Sequence, residues 1–84
     1  MSKKEKLIKR LLSRPKDFTF DELVTLMGYL GYELDTGGKT SGSRVKFKNK
    51  HNDALWQHRP HPGNVLKAYQ VKDVVDNLTE RELL

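Results

Sequence analysis

The 84-residue chain contains no cysteine, which excludes a disulfide framework, a thiolate nucleophile and a cysteine-ligated metal site. Long apolar runs are missing as well. None approaches a membrane span, and the basic start Ser2-Lys3-Lys4-Glu5-Lys6 leads into an amphipathic segment rather than the apolar block of a secretion signal. A cytoplasmic protein without membrane association is the expectation. Apolar residues make up only 36% of the chain and aromatic ones 8%, so a thin, two-layer fold is expected for one domain over residues 1–84.

Acidic residues are scarce in one region above all. Residues 36–72 carry eight Lys/Arg against one Asp/Glu, whereas residues 1–35 carry seven against six and residues 73–84 one against four. Nearly all of the net charge of +5 therefore comes from the middle of the chain, where His51, His58 and His61 also lie. Positive charge concentrated in this way suits a polyanionic partner.

Leu7, Ile8, Leu11 and Leu12 recur at helical spacing, and the residue before Pro15 is steered out of the right-handed helical region, so a first helix ends at Arg14-Pro15. Thr19 and Glu22 have capping-box spacing, and Phe20, Leu23, Val24, Met27 and Leu30 form one apolar stripe until Gly31 offers a left-handed stop. Residues 32–35 alternate like a short strand, residues 37–42 form a small-residue loop, and a basic strand runs to Lys48. Residues 50–53 read as a turn and residues 54–58 as the return strand of a hairpin, broken by Pro60, Pro62 and Gly63. Val71, Val74, Val75 and Leu78 then mark one face of a last helix. This order predicts an α+β fold, a three-stranded antiparallel sheet with helices packed on one face. Thr19, Glu22, Leu23, Met27, Val45, Phe47, Val71, Val74 and Leu78 are the expected structural residues.

The segment Gly42-Ser43-Arg44-Val45-Lys46-Phe47-Lys48 is the most informative stretch. As a strand it carries Arg44, Lys46 and Lys48 on one face and Val45 and Phe47 on the other. With Val45 and Phe47 turned to the helices, the cations line the open face, ready for phosphates. Trp56 shares strand parity with His58 and either stacks on a base from that face or fills core; Leu55 points to the helices. The loop with Lys39, Thr40, Ser41 and Ser43 among glycines offers backbone amides to a phosphate, or is simply a hairpin loop. It lacks the spacing and following helix of a nucleotide-triphosphate loop.

These features together resemble the HicA-type toxins of bacterial toxin–antitoxin pairs. The resemblance runs from Leu7 to Leu78 and is most specific at Gly42-Ser43 before the strand, at Arg59-Pro60-His61-Pro62-Gly63, and at the closing helix from Leu66. It implies a fold similar to double-stranded-RNA-binding domains, metal-independent cleavage of messenger RNA, and silencing by a partner antitoxin. In the family the residue after Gly-Ser is a histidine taken to be catalytic; here that position is Arg44. Arginine stays protonated, so it can hold phosphate but cannot act as a general base.

Attack of a ribose 2′-hydroxyl on phosphorus needs a base, an acid and nearby cations, and histidine is the side chain suited to the proton transfers. His58, at the end of the third strand, is the first candidate, and lies within reach of the start of the second strand if the two pair antiparallel. His61 is the second, either as acid or base or as a structural part of a rigid Pro-His-Pro turn. Arg59 between them is a candidate phosphate clamp. His51 sits in the hairpin turn as a solvated side chain. His58-x-x-His61 spans a proline-broken bend and no third ligand stands out, so neither metal nor cofactor is expected. Three readings follow. They are a ribonuclease toxin using His58 or His61 with Lys39, Ser43, Arg44, Lys46, Lys48 and Arg59 on the RNA, a catalytically inactive nucleic-acid-binding module with the same surface, and a basic adaptor that docks an acidic antitoxin.

Overall fold

The computed structural model describes residues 2–35, 44–60 and 63–84. Its elements are α1 (Lys3–Leu12), α2 (Phe20–Tyr29), β1 (Glu33–Asp35), β2 (Arg44–Lys48), β3 (Ala54–His58) and α3 (Ala68–Glu80). The α+β order and the antiparallel sheet, in the order β1-β2-β3, are as expected. Among the described residues no helix is long and apolar enough to cross a membrane.

Each helix boundary has a local cause. Ser2 Oγ accepts the Glu5 N–H at 3.2 Å to open α1, and after Ser13 the chain turns through Arg14 at φ 52°. Arg14 does leave the right-handed region, as a residue before proline must, but enters the left-handed one. The capping box of α2 is complete: Thr19 Oγ1 accepts the Glu22 N–H at 3.1 Å and Glu22 Oε1 accepts the Thr19 N–H at 3.0 Å. Past its end, Gly31 takes φ 89°, where a Cβ is strained. Tyr32 precedes β1 rather than joining it, and is buried.

The sheet register decides which side chains share a face. Val45 pairs with Gln57 and Phe47 with both Leu55 and Leu34, and this set turns inward. Leu23 and Met27 from α2 and Val71, Val74 and Leu78 from α3 are buried with Val45, Phe47 and Leu55 in one core, and the Phe20 and Phe47 rings meet at 6.3 Å. Burial of such apolar side chains stabilises by about 1.5–3 kcal/mol each.

Helix α1 packs on α2 and α3. Arg10 links it to α2, donating to both Glu22 carboxylate oxygens at 2.6 and 3.1 Å and to Asp17 at 3.1 Å. A short antiparallel bridge joins the entries of α2 and α3: Leu66 N–H donates to Phe18 O and Phe20 N–H to Asn64 O, both at 2.8 Å. At the opposite end, the Asp53 carboxylate accepts from the Tyr32 hydroxyl and from Arg81 Nε at 2.8 Å. Arg81 also reaches Ala54 O at 3.3 Å, tying the hairpin turn to the end of α3. The hydrogen bond from Arg81, then that from Tyr32, holds the Asp53 carboxyl below its usual range.

Candidate nucleic-acid interface

The open face of the sheet follows from period-two alternation and the register. Arg44 lies directly across from His58, Lys46 from Trp56 on one side and Asp35 on the other, and Lys48 from Ala54 and Glu33. Residues paired in this way point to the same side of a sheet, so three cations, one indole and one imidazole share the exposed surface. Trp56 does face outward, at 42% exposure. Its indole is flanked by cations, with the Arg44 guanidinium 4.2 Å and the Lys46 ammonium 5.4 Å from the ring centroid. Contacts of this kind contribute about 0.5–1 kcal/mol at exposed sites. They also fix where the positive charge stands. Lys46 in addition pairs with Asp35 at 3.5 Å.

Beside this row lies a cleft of about 260 Å³ lined by Arg44, Trp56, Gln57, His58 and Asp73. Its floor is polar where the sequence pattern leads one to expect an apolar residue. Gln57 has the inward parity of Leu55 yet is only 4% exposed, and Gln70 of α3 is 1% exposed. Each amide oxygen and nitrogen of the pair has a hydrogen-bond partner. Gln70 Nε2 donates to His58 O at 2.7 Å and to Gln57 Oε1 at 3.4 Å, while Gln70 Oε1 accepts the Lys67 N–H at 2.9 Å. Gln57 Oε1 also accepts the His58 N–H at 3.1 Å, and Gln57 Nε2 donates to Asp73 at 3.2 Å. Both backbone groups of His58 are thereby held by buried side-chain amides, which fixes the end of β3 on which its imidazole stands.

Of the residues singled out from sequence, Arg44, Lys46, Lys48 and His58 come together on this face. Arg59, the next residue after His58, has its guanidinium 5.0 Å from the Phe20 ring, toward the helix side. Lys39, Ser43 and His61 lie outside the described residues. His51 is exposed in the hairpin turn, its N–H donating to Asn49 Oδ1 at 3.0 Å. Among the described residues no three histidine or acidic side chains converge as metal ligands would. Gln57, Gln70 and Asp73 were not singled out, although the inward parity of Gln57 beside Leu55 was a readable signal. The acidic partners Glu33 and Asp35, which partly neutralise the row, depend on register and had none.

Comparison with known proteins gives a match to a family model. The model of the family described as HicA toxin of bacterial toxin-antitoxin matches residues 20–79, which takes in α2, the whole sheet and nearly all of α3. No curated protein and no solved structure matches the chain.

Proposed function

The chain belongs to the HicA toxin family of bacterial toxin–antitoxin systems, and on that premise we propose that it binds messenger RNA on its open sheet face and cleaves it there. The observation that carries this reading is the cross-strand pair Arg44 and His58, set beside Trp56 and Lys46 on one exposed surface. It joins a fixed cation to the one imidazole among the described residues of that face, and cleavage needs both. His58 takes the proton of a ribose 2′-hydroxyl as that oxygen forms a bond to the adjacent phosphorus. The bond from phosphorus to the 5′-oxygen breaks, and the leaving oxygen picks up a proton from His61, giving a 2′,3′-cyclic phosphate and a 5′-hydroxyl end. Arg44, with Lys46 and Lys48, holds the phosphate and absorbs the charge that builds on its oxygens. Lys39 and Ser43 are flanking phosphate contacts in the same reading, and the partner antitoxin silences the toxin.

Incubation with a long structured RNA in the presence of chelator tests the proposal, scoring both RNA binding and cyclic-phosphate ends. Wild type should cut, and His58→Ala should bind but not cut. Binding without cyclic-phosphate ends by wild type would instead mark a non-catalytic RNA-binding relative, a reading that the arginine at the head of β2 favours because it cannot serve as a base.

A further inference from the structure

The cleft beside the cation row holds one carboxylate, and the cleavage chemistry leaves it without a role. Asp73, in the first half of α3, lines that cleft with Arg44, Trp56, Gln57 and His58. An acid repels phosphate, so on a surface that takes RNA it weakens binding unless it accepts hydrogen bonds from the nucleic acid. Asp35 has Lys46 to answer it. Asp73 enters no salt bridge among the described residues, although Arg44 lines the same cleft. Its carboxylate is nonetheless tethered: Oδ2 accepts from Gln57 Nε2 at 3.2 Å, and Gln57 is itself buried and bonded to Gln70. Oδ1 accepts no hydrogen bond among the described residues. An ionised carboxylate can accept about four hydrogen bonds and donates none, so Asp73 presents an acceptor with most of its capacity open, anchored to a packed floor. The remaining wall of the cleft is flat. The Arg44 guanidinium lies 4.2 Å from the Trp56 ring centroid, and such planes are where unstacked RNA bases lie while their edges are read by hydrogen bonds. At about 260 Å³ the cleft falls just below the pockets of drug-sized ligands, a size that suits one nucleobase.

We infer that this cleft reads guanine: the base of one nucleotide lies against Arg44 and Trp56, and the Asp73 carboxylate accepts from the N1–H and the N2 amino group of guanine. Among the four RNA bases guanine alone sets two adjacent donors on its Watson–Crick edge, matching the two oxygens of a carboxylate. Adenine and cytosine each place one amino donor beside a ring-nitrogen acceptor, and uracil places one N–H between two carbonyls, so each turns at least one acceptor toward a group that has no proton to give. Gln57 is then a positioning residue, holding the carboxylate at the cleft through its Nε2. The inference rests on RNA occupying the open sheet face and is independent of whether it is cut there. It gives the protein a base preference at the nucleotide beside Arg44 and His58, where the cation row by itself gives none.

The test is fluorescence anisotropy with short labelled oligouridines that carry one central guanosine, inosine or adenosine, or uridine throughout, against wild type and Asp73→Asn. Wild type should bind the guanosine RNA about tenfold more tightly than the adenosine and all-uridine ones, the scale of a bidentate base contact. Inosine keeps N1–H but lacks the amino group, and its RNA should fall between. Asp73→Asn should melt like wild type, because the side chain is exposed and its amide oxygen can still accept from Gln57. It should bind the all-uridine RNA at least as tightly as wild type does, having lost a repelling charge, and prefer guanosine by less than about twofold. Wild type that binds all four RNAs equally overturns the inference while leaving the sheet face an RNA surface. So does an Asp73→Asn protein that binds all four more tightly with the guanosine preference intact, which would make Asp73 a repelling charge only. Wild type that binds none of them refutes the RNA-binding proposal and the inference together. A guanosine preference abolished by Asp73→Asn, in a protein that leaves no cyclic-phosphate ends on any RNA, upholds the inference and refutes cleavage alone.

Discussion

The three cations on the open face are not equivalent, and their inequality can be measured. Lys46 is already engaged by Asp35 at 3.5 Å and Lys48 stands across from Glu33, whereas Arg44 stands across from His58 and stacks on Trp56. Each phosphate neutralised on a single strand contributes about 0.7 to the slope of log affinity against log salt. Arg44→Ala should therefore make the slope shallower by about 0.7. Between 50 and 200 mM salt that is a difference of about two- to threefold in the affinity lost. Lys46→Ala should change the slope by less than about half as much, because its ammonium trades Asp35 for phosphate rather than releasing a counterion. Asp35→Asn, which removes that competitor, should strengthen RNA binding and raise the effect of a later Lys46→Ala. Fluorescence anisotropy with a labelled single-stranded RNA at several salt concentrations reads wild type, the three single variants and the Asp35→Asn/Lys46→Ala double variant, with circular dichroism as the control for folding. Equal slopes in Arg44→Ala and Lys46→Ala, or weaker binding by Asp35→Asn, would refute the assignment of Arg44 as the dominant phosphate contact.

Three predictions concern the scaffold. Gln70→Leu should leave His58 O, Gln57 Oε1 and the Lys67 N–H without their amide partner, costing about 1–3 kcal/mol for each group that water cannot reach. Urea unfolding checks this, and a midpoint equal to wild type contradicts it. Two glycines should respond with opposite signs although nothing lies within 4 Å of an added Cβ at either. Gly31→Ala, at φ 89°, should destabilise by about 1–2 kcal/mol; Gly28→Ala, inside α2, should stabilise by about 0.5–1 kcal/mol. The Glu22 carboxyl is held below its usual range, first by the hydrogen bond from Arg10. A folded-state pKa below the unfolded one gives stability that is complete above the ordinary carboxylate range and is lost as pH falls from that range through the lower folded-state value. Thermal midpoints measured from neutral pH downward should show a shallower acid decline in Glu22→Gln than in wild type, and parallel curves would contradict the argument.

The sequence foretold much of this architecture because its signals are local. Thr19 and Glu22 set the start of α2 through a three-residue spacing, and apolar–polar alternation brackets β3 at Ala54 and His58, the bounds observed. Parity alone sends Val45, Phe47 and Leu55 inward and Trp56 outward. What escaped depends on which residues meet across the fold. The acids opposite Lys46 and Lys48 are fixed by the pairing of β1 with β2, which no local spacing encodes. Gln57 and Gln70 look like surface residues by type, and only their mutual hydrogen bonding and their grip on the His58 backbone make burial affordable. Arg59 follows a strand whose parity is clear, but its stacking on Phe20 depends on where α2 crosses the sheet.

The most direct test of the central claim uses Trp56, the single tryptophan of the chain, which stands between Arg44 and Lys46 on the face assigned to RNA. Titration of wild type with an unlabelled single-stranded RNA, followed by tryptophan emission, should give a saturable change with the same midpoint as an independent binding measurement, shifted to higher RNA concentration by salt and by Arg44→Ala. RNA that binds with that affinity while the emission of Trp56 stays constant would show that the nucleic acid occupies another surface.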